Sequence, residues 1–244
     1  GSGSHGGNSK AVEAQLWDVQ QIQASSGAFA AIRSDGSVVT WGREASGGSS
    51  RAVQDQLYDV LHIQASEHAF AAIRSDGHVM TWGSNHDGGN SSEVQEQLHD
   101  VQHIQASCSA FAAIRCDGSV VTWGDAGSGA DSSAVQDQLF DVKQIQASEH
   151  AFAAIRSDGA IISWSHGELV PLAAYTEKQE LLNRKVEQIQ AASDAFAAIR
   201  SDGIAFSWGS LPWQPHEVDD VVSIQSSAGA FVAIRSDGSL VTWG

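Results

Sequence analysis

The chain of 244 residues has little of what most specialised functions need in quantity. It holds two cysteines, three prolines, one methionine, and only 13 lysines and arginines against 29 aspartates and glutamates. A formal net charge of −16 excludes phosphate-rich partners, because binding phosphate requires basic side chains that displace its counterions. Neither nucleic acid nor an anionic membrane is expected as a partner. Cys108 and Cys116 fall near opposite ends of one expected strand, beyond disulfide reach. Two free thiols fit a reducing compartment such as the cytoplasm. No apolar run approaches the roughly 18 residues of a membrane span, so a soluble chain is expected. The opening Gly1-Ser2-Gly3-Ser4-His5 lacks the apolar core of a secretory signal. Residues 1–10 are expected to be a linker or expression scar, and residues 11–244 a single domain. There is no G-x-S-x-G elbow, no H-E-x-x-H pair, and no glycine-rich loop carrying the lysine of a nucleotide site. The expectation is a noncatalytic protein with no catalytic residue, no metal and no cofactor.

What the sequence has is a repeat. Residues 28–42 read AFAAIRSDGSVVTWG and recur at 69–83, 110–124, 151–165, 195–209 and 230–244. The repeat tryptophans Trp41, Trp82, Trp123, Trp164, Trp208 and Trp243 are spaced by 41, 41, 41, 44 and 35 residues. A period near 40 with strand-like content predicts the blades of a propeller. In each copy VQQIQAS reads as a first strand, AFAAIRS as a second and SVVTWG as a third. Asp35-Gly36 between the last two signals a tight two-residue hairpin of type I′. Phe29 and Ala31 point to one face and Ala30 and Ile32 to the other, so both faces are apolar and need cover. The fold class expected is all-β, a six-bladed β-propeller with three strands per blade and a short outer helix or fourth strand.

For that outer element, residues 52–57 (AVQDQL) favour a helix. There Val53 and Leu57 meet at i, i+4 and Asp55 turns outward, and Ala, Gln and Leu are better helix than strand formers. Ser92 with Gln95, and Ser133 with Gln136, have capping-box spacing. The opening GGNSKAVEAQL aligns with residues 47–57. The N-terminal segment is therefore expected to supply the outer element of the last blade, close the ring and leave no open edge. A closed ring predicts a monomer. The irregular fourth linker, residues 165–185, carries apolar groups that the others lack and is expected to pack on the rim or engage a second molecule.

At these residues a resemblance becomes legible. Ile63-Gln64-Ala65-Ser66-Glu67-His68-Ala69-Phe70-Ala71-Ala72-Ile73, then Asp76-Gly77 and Trp82-Gly83, resemble the repeat of the regulator of chromosome condensation family. So does the linker Gly83-Ser84-Asn85-His86-Asp87-Gly88-Gly89. The repeats here are shorter and fewer than that family usually shows, and the histidine stands in two copies, His68 and His150. The resemblance implies a propeller that acts as an interaction platform. The family's activities include nucleotide exchange on a small GTPase, chromatin binding, ultraviolet sensing and recognition modules of ubiquitin ligases. None of them carries over residue by residue, for lack of a basic tail, loop tryptophans or a ligase domain.

Three sets of residues invite a functional reading. The arginines Arg33, Arg74, Arg115, Arg156, Arg200 and Arg235 precede the turn aspartates. They make either a ring of cations or, in better accord with their identity in every copy, local ion pairs. Gln23, Gln64, Gln105, Gln146, Gln190 and Gln225 on the innermost strand either line a polar channel or bond between blades. The third set is where the copies differ: the loop between first and second strands, with Glu67, His68, Cys108, Ser109, Glu149, His150, Ser193 and Asp194. Loops vary at little cost while a rigid scaffold holds them, which suits recognition. If that face took a metal, His68, Cys108 and His150 are the expected ligands. The reading favoured is a noncatalytic binding or scaffolding propeller with a protein or peptide partner. The near-identity of the copies also fits a recently amplified or symmetrised repeat with no evolved partner. The alternative is a small-molecule, glycan or metal-binding, lectin-like propeller, whose sites should repeat in every blade.

Overall fold

A computed structural model describes residues 6–165, 185–210 and 217–244. The strands form six three-stranded antiparallel sheets, each paired in chain order. The first is β1 (Val19–Ala24), β2 (Ala28–Arg33) and β3 (Val38–Gly42). The second is β4 (Val60–Ala65), β5 (Ala69–Arg74) and β6 (Val79–Gly83), and the third β7 (Val101–Ala106), β8 (Ala110–Arg115) and β9 (Val120–Gly124). The fourth is β10 (Val142–Ala147), β11 (Ala151–Arg156) and β12 (Ile161–Ser165). The fifth is β13 (Val186–Ala191), β14 (Ala195–Arg200) and β15 (Ala205–Gly209), and the sixth β16 (Val221–Ser226), β17 (Phe231–Arg235) and β18 (Leu240–Trp243). This is a six-bladed all-β propeller. Its contacts group into two compact units, Gly1–Cys116 with Val121–Ala130, and Asp117–Val120 with Asp131–Gly244.

Within each unit the sheets stack by one rule. The middle strand's alternation puts Ala28, Ala30 and Ile32 on one face, where with Val38 they meet Leu57, Val60, Ile63, Phe70 and Trp82 of the next sheet. Ala69, Ala71, Ile73 and Val79 meet Leu98, Val101, Ile104, Phe111 and Trp123 in the same way. The second unit repeats the pairing between its fourth and fifth and its fifth and sixth sheets. Alanine on the giving face and aromatics on the receiving face let the sheets interdigitate. Each receiving face carries a Phe–Trp stack, with ring centroids 5.3 Å apart for Phe70 and Trp82.

The hairpin turn differs from the expected type I′. Asp35 is not in the left-handed region, whereas Gly36 has φ +75°. Gly36 N–H donates to Arg33 O, and Arg33 N–H to Ser37 O. This is a three-residue loop, a type I turn ending in a left-handed glycine. The Asp35 carboxylate accepts from Ser37 N–H at 2.9 Å, which stabilises the turn without forcing Asp35 to positive φ. Hydrogen bonds from the Ser37 hydroxyl and amide, with Arg33 nearby, hold that carboxyl below its ordinary range. Gly36 also lies under Asp59 of the next linker, where a Cβ would come within 2.7 Å of the Asp59 Cα.

The outer element is a single 3₁₀ turn, at Glu13–Gln15, Gln54–Gln56, Gln95–Gln97 and Gln136–Gln138. The capping boxes expected from Ser92–Gln95 and Ser133–Gln136 do not form, since neither turn has a side-chain cap. Instead the glutamines reach across to the strand before them. Gln54 Nε2 donates to Val38 O at 3.1 Å, and Gln95 and Gln136 donate to Val79 O and Val120 O at 3.0 Å. Ser50, Ser91 and Ser132 hold those amides from the side, through their oxygens. The N-terminal segment sits on the first sheet, where Trp41 Nε1 donates to Gly6 O at 3.0 Å. Trp82 and Trp123 bond Gly47 O and Gly88 O alike. Among the described residues no helix is long and apolar enough to cross a membrane. Nearly all of the linker at residues 165–185, namely 166–184, lies outside the described residues, and with it the expectation that it packs on the rim.

Candidate functional site

The variable loops are tied to one another through their backbones. In the first unit Ser26 N–H donates to Glu67 O and Glu67 N–H to Cys108 O, both at 2.8 Å. In the second, Glu149 N–H donates to Ser193 O and Ser193 N–H to Ala228 O, both at 2.9 Å. Each unit thus carries a ledge of three loops, chained sheet to sheet, on which the side chains differ. Two loops of the first unit are anchored from below by a buried serine. Ser66 Oγ and Ser107 Oγ donate to Asp87 O and Ser128 O at 2.8 and 2.7 Å. Hydrogen-bonded backbone at both levels makes these loops rigid presenters of whatever side chain they carry.

On the first ledge, His68 is half-buried. Its Nδ1 lies 2.7 Å from Ser26 Oγ and 3.2 Å from Ser46 Oγ, and its Nε2 lies 3.6 Å from Glu67 Oε1. A serine, an imidazole and a carboxylate in this order have the makings of an activated nucleophile. The carboxylate contact is too long for a hydrogen bond, and Ser26 N–H is given to Glu67 O.

Beside it lies a charge that sequence reading passed over. Asp87 is 7% exposed, and its Oδ1 accepts from Ser109 Oγ at 2.6 Å. Burial works to raise its pKa, but hydrogen bonds from Ser109 and Ser84, with His68 and His86 nearby, outweigh it and hold the carboxyl below the ordinary range. The signal was present in the repeat, since the matching linker positions are Ser46 and Ser128 and only this copy has a carboxylate there. Cys108 is half-buried and its thiol is in no disulfide. In the second unit Glu149, His150 and Asp194 are exposed and Ser193 is half-buried. Among the described residues no three His, Cys, Asp or Glu side chains come together closely enough to hold a metal ion.

Most of the repeat arginines are held in local contacts. Arg33, Arg74, Arg156 and Arg200 each pair with the aspartate two residues on, at 3.5, 2.5, 2.7 and 2.5 Å. Three of them also stack on an aromatic ring from their own sheet's entry: Arg33 on Trp17, Arg74 on Tyr58 and Arg156 on Phe140, at 4.4, 3.8 and 3.7 Å. Arg115 meets His99 at the same place. Residues 17, 58, 99 and 140 recur at the 41-residue period, a signal that could have revealed the stack. Of the innermost glutamines, Gln23 and Gln64 line a cavity of about 230 Å³ in the first unit, with Gln21, Gln102, His62 and His103. The two histidines were not anticipated there.

These sheets, ledges and stacks define the protein's class as a propeller of short three-stranded blades. Solved structures agree on the fold. Human WBSCR16 superposes with a TM-score of 0.56 at 14% identity, over 88% of this chain and 71% of that one. Prp20p of Saccharomyces cerevisiae, the yeast RCC1, gives 0.56 at 15%, over 96% and 74%. The CRINKLY WD40 ectodomain of the Arabidopsis thaliana receptor kinase ACR4 gives 0.53 at 15%, over 93% and 80%. The chain has the fold of the RCC1-type propellers, as its repeat suggested. No family model matches the sequence, and no curated protein matches it.

Proposed function

We propose that this propeller is a noncatalytic interaction module that engages a protein or peptide through its loop ledges. The observation that carries this reading is the coincidence of sequence variation and rigidity. The framework residues repeat from copy to copy, while the loop pairs Glu67-His68, Cys108-Ser109 and Ser193-Asp194 differ, Glu149-His150 repeating the first, on loops tied by backbone hydrogen bonds. A site that varies from blade to blade suits an extended, asymmetric ligand such as a polypeptide, whereas a lectin-like site would recur in each blade. One solved propeller of this fold supports the reading by analogy of use: yeast RCC1, Prp20p, has been solved bound to Kap60 and characterised for binding to Gsp1p and histones. The net charge of −16 favours a basic partner, by steering encounter and matching the exposed Glu67 and Glu149.

A phage-displayed peptide library panned on the immobilised protein tests this. The expected result is enrichment of basic peptides whose binding is lost in a Glu67→Ala/His68→Ala/Cys108→Ala variant. Those side chains are exposed or half-buried, so the variant keeps its fold. Peptides that bind parent and variant equally would place recognition elsewhere.

A further inference from the structure

The first strands of the first three sheets, β1, β4 and β7, meet at the cleft of about 230 Å³, all of it within one compact unit and none of it formed by the ledge loops. Gln21, Gln23, His62, Gln64, Gln102 and His103 line it, over a floor of the buried Ile63, Ala71, Ile73 and Ile104. The chain carries 29 acidic and 13 basic side chains, yet no carboxylate, lysine or arginine lines this cleft. In the fourth and fifth sheets Lys143 and Glu187 stand where the second and third have Leu61 and Gln102, so the uncharged lining belongs to the first three sheets. The polar groups are also unspent. Among the described residues Gln21, Gln23, Gln102, His62 and His103 make no side-chain hydrogen bond, and Gln64 reaches only Ala65 O, at 3.4 Å. Six side chains with hydrogen-bonding capacity to give thus converge on one apolar-floored space, the composition of a small-molecule site.

We propose that this cleft binds a neutral polyhydroxylated small molecule, a single sugar ring. The donor and acceptor inventory selects the class. A glutamine amide presents a carbonyl acceptor and an NH₂ donor side by side, and a neutral imidazole offers one of each. A hydroxyl likewise both donates and accepts, so a ring of hydroxyls can satisfy both halves of every amide. A carboxylate or phosphate only accepts, and would leave the amide carbonyls facing its charge at a cost. The net charge of −16 opposes an anion further. A pyranose also has an apolar C–H face, which the floor of isoleucines and alanine matches. Size sets the limit: the cleft lies below the roughly 300–1,000 Å³ of drug-sized pockets, which suits one ring. The cleft is assembled once from three sheets, so it is distinct from a lectin-like site repeated blade by blade and from the peptide ledges.

Nuclear magnetic resonance of the ¹⁵N-labelled full chain tests the proposal, with glucose, galactose, mannose and fucose as probes and succinate as the anionic control. At least one sugar is expected to shift the side-chain amides of Gln21, Gln23, Gln64 and Gln102 and the imidazoles of His62 and His103 together, saturating at millimolar concentration. Succinate should leave them in place. His62→Ala/His103→Ala, both at exposed positions, should keep the backbone spectrum and weaken sugar binding by roughly tenfold, the worth of two neutral hydrogen bonds. Gln102→Ala, also exposed, gives the same test with a smaller loss should the double variant fail to fold. The Glu67→Ala/His68→Ala/Cys108→Ala variant should bind the sugar as the parent does, which keeps failure here distinguishable from failure of peptide binding at the ledges. The proposal is overturned if none of the four sugars shifts the cleft signals, if succinate binds there better than the sugars, or if the cleft variants bind sugar as tightly as the parent.

Discussion

Replacing Phe70 with alanine should separate a fully buried stack from a half-buried one when set against the same change at Phe29. Phe70 is fully buried, stacked on Trp82 at 5.3 Å and 18°, with the backbone of Gly47 against its ring edge. Removing a buried Phe leaves a cavity and costs about 3–5 kcal/mol, of which about 0.5–1.5 belongs to the aromatic pair. Phe29 makes the same stack with Trp41, at 5.3 Å and 17°, but it is half-buried, beside the exposed Ile22. Water already reaches that ring, so Phe29→Ala should cost on the order of 1–3 kcal/mol. Urea unfolding of dilute protein, followed by far-ultraviolet circular dichroism and tryptophan fluorescence, gives both losses on one scale. The reasoning predicts that Phe70→Ala is the worse by about 2 kcal/mol. Equal losses would mean that the stack alone explains the energetics, without the neighbouring sheet.

Two further outcomes follow from single positions. Gly36→Ala must bear both a left-handed φ and a Cβ 2.7 Å from Asp59, while Gly238→Ala has the same φ class with nothing within 4 Å. Thermal melts should show Gly238→Ala losing about 1–2 kcal/mol and Gly36→Ala clearly more, and equal losses would remove the turn from the sheet-to-sheet packing. The Asp87 carboxyl is held below its ordinary value, so it stabilises the fold above the unfolded-state value near ~4 and loses that contribution as pH falls through the lower folded value. Asp87→Asn should therefore flatten the decline of melting temperature below about pH 4, and parallel pH profiles for parent and variant would count against the network around His68 and Ser109.

The sheets were legible because their signals are local and repeated. Alternating apolar residues, Asp-Gly turns and period-41 tryptophans each report on a few neighbouring residues, and six copies reinforce them. The turn type was misread because Asp-Gly serves both a type I′ turn and a type I turn followed by a left-handed glycine. Asp59 packing over Gly36, a contact between sheets, goes with the second. The outer element is helical as expected but shorter, for a related reason. Gln54 and its counterparts have helix propensity, but they bond to the strand before them, and this tertiary contact fixes one 3₁₀ turn where propensity alone would extend a helix. The ledge residues were visible as disagreements between copies, yet their backbone ties depend on loops about 41 residues apart. Asp87 went unnoticed because it stands in a glycine-rich linker that reads as a flexible loop. Trp17, Tyr58 and Phe140 escaped because exposed aromatics carry no pattern until the arginine over each is seen.

The central claim is that the varied loops are held rigidly as one recognition surface in each unit. Hydrogen exchange resolved to single amides tests it most directly, at Ser26, Glu67, Glu149 and Ser193, whose N–H groups donate from one loop to the next. These four lie outside the strands, yet they are predicted to exchange as slowly as the amides of β5 and β14, because hydrogen-bonded backbone opens only with the sheets that hold it. Exchange at the rate of free loop amides would contradict the claim and leave the ledges as unconnected loops.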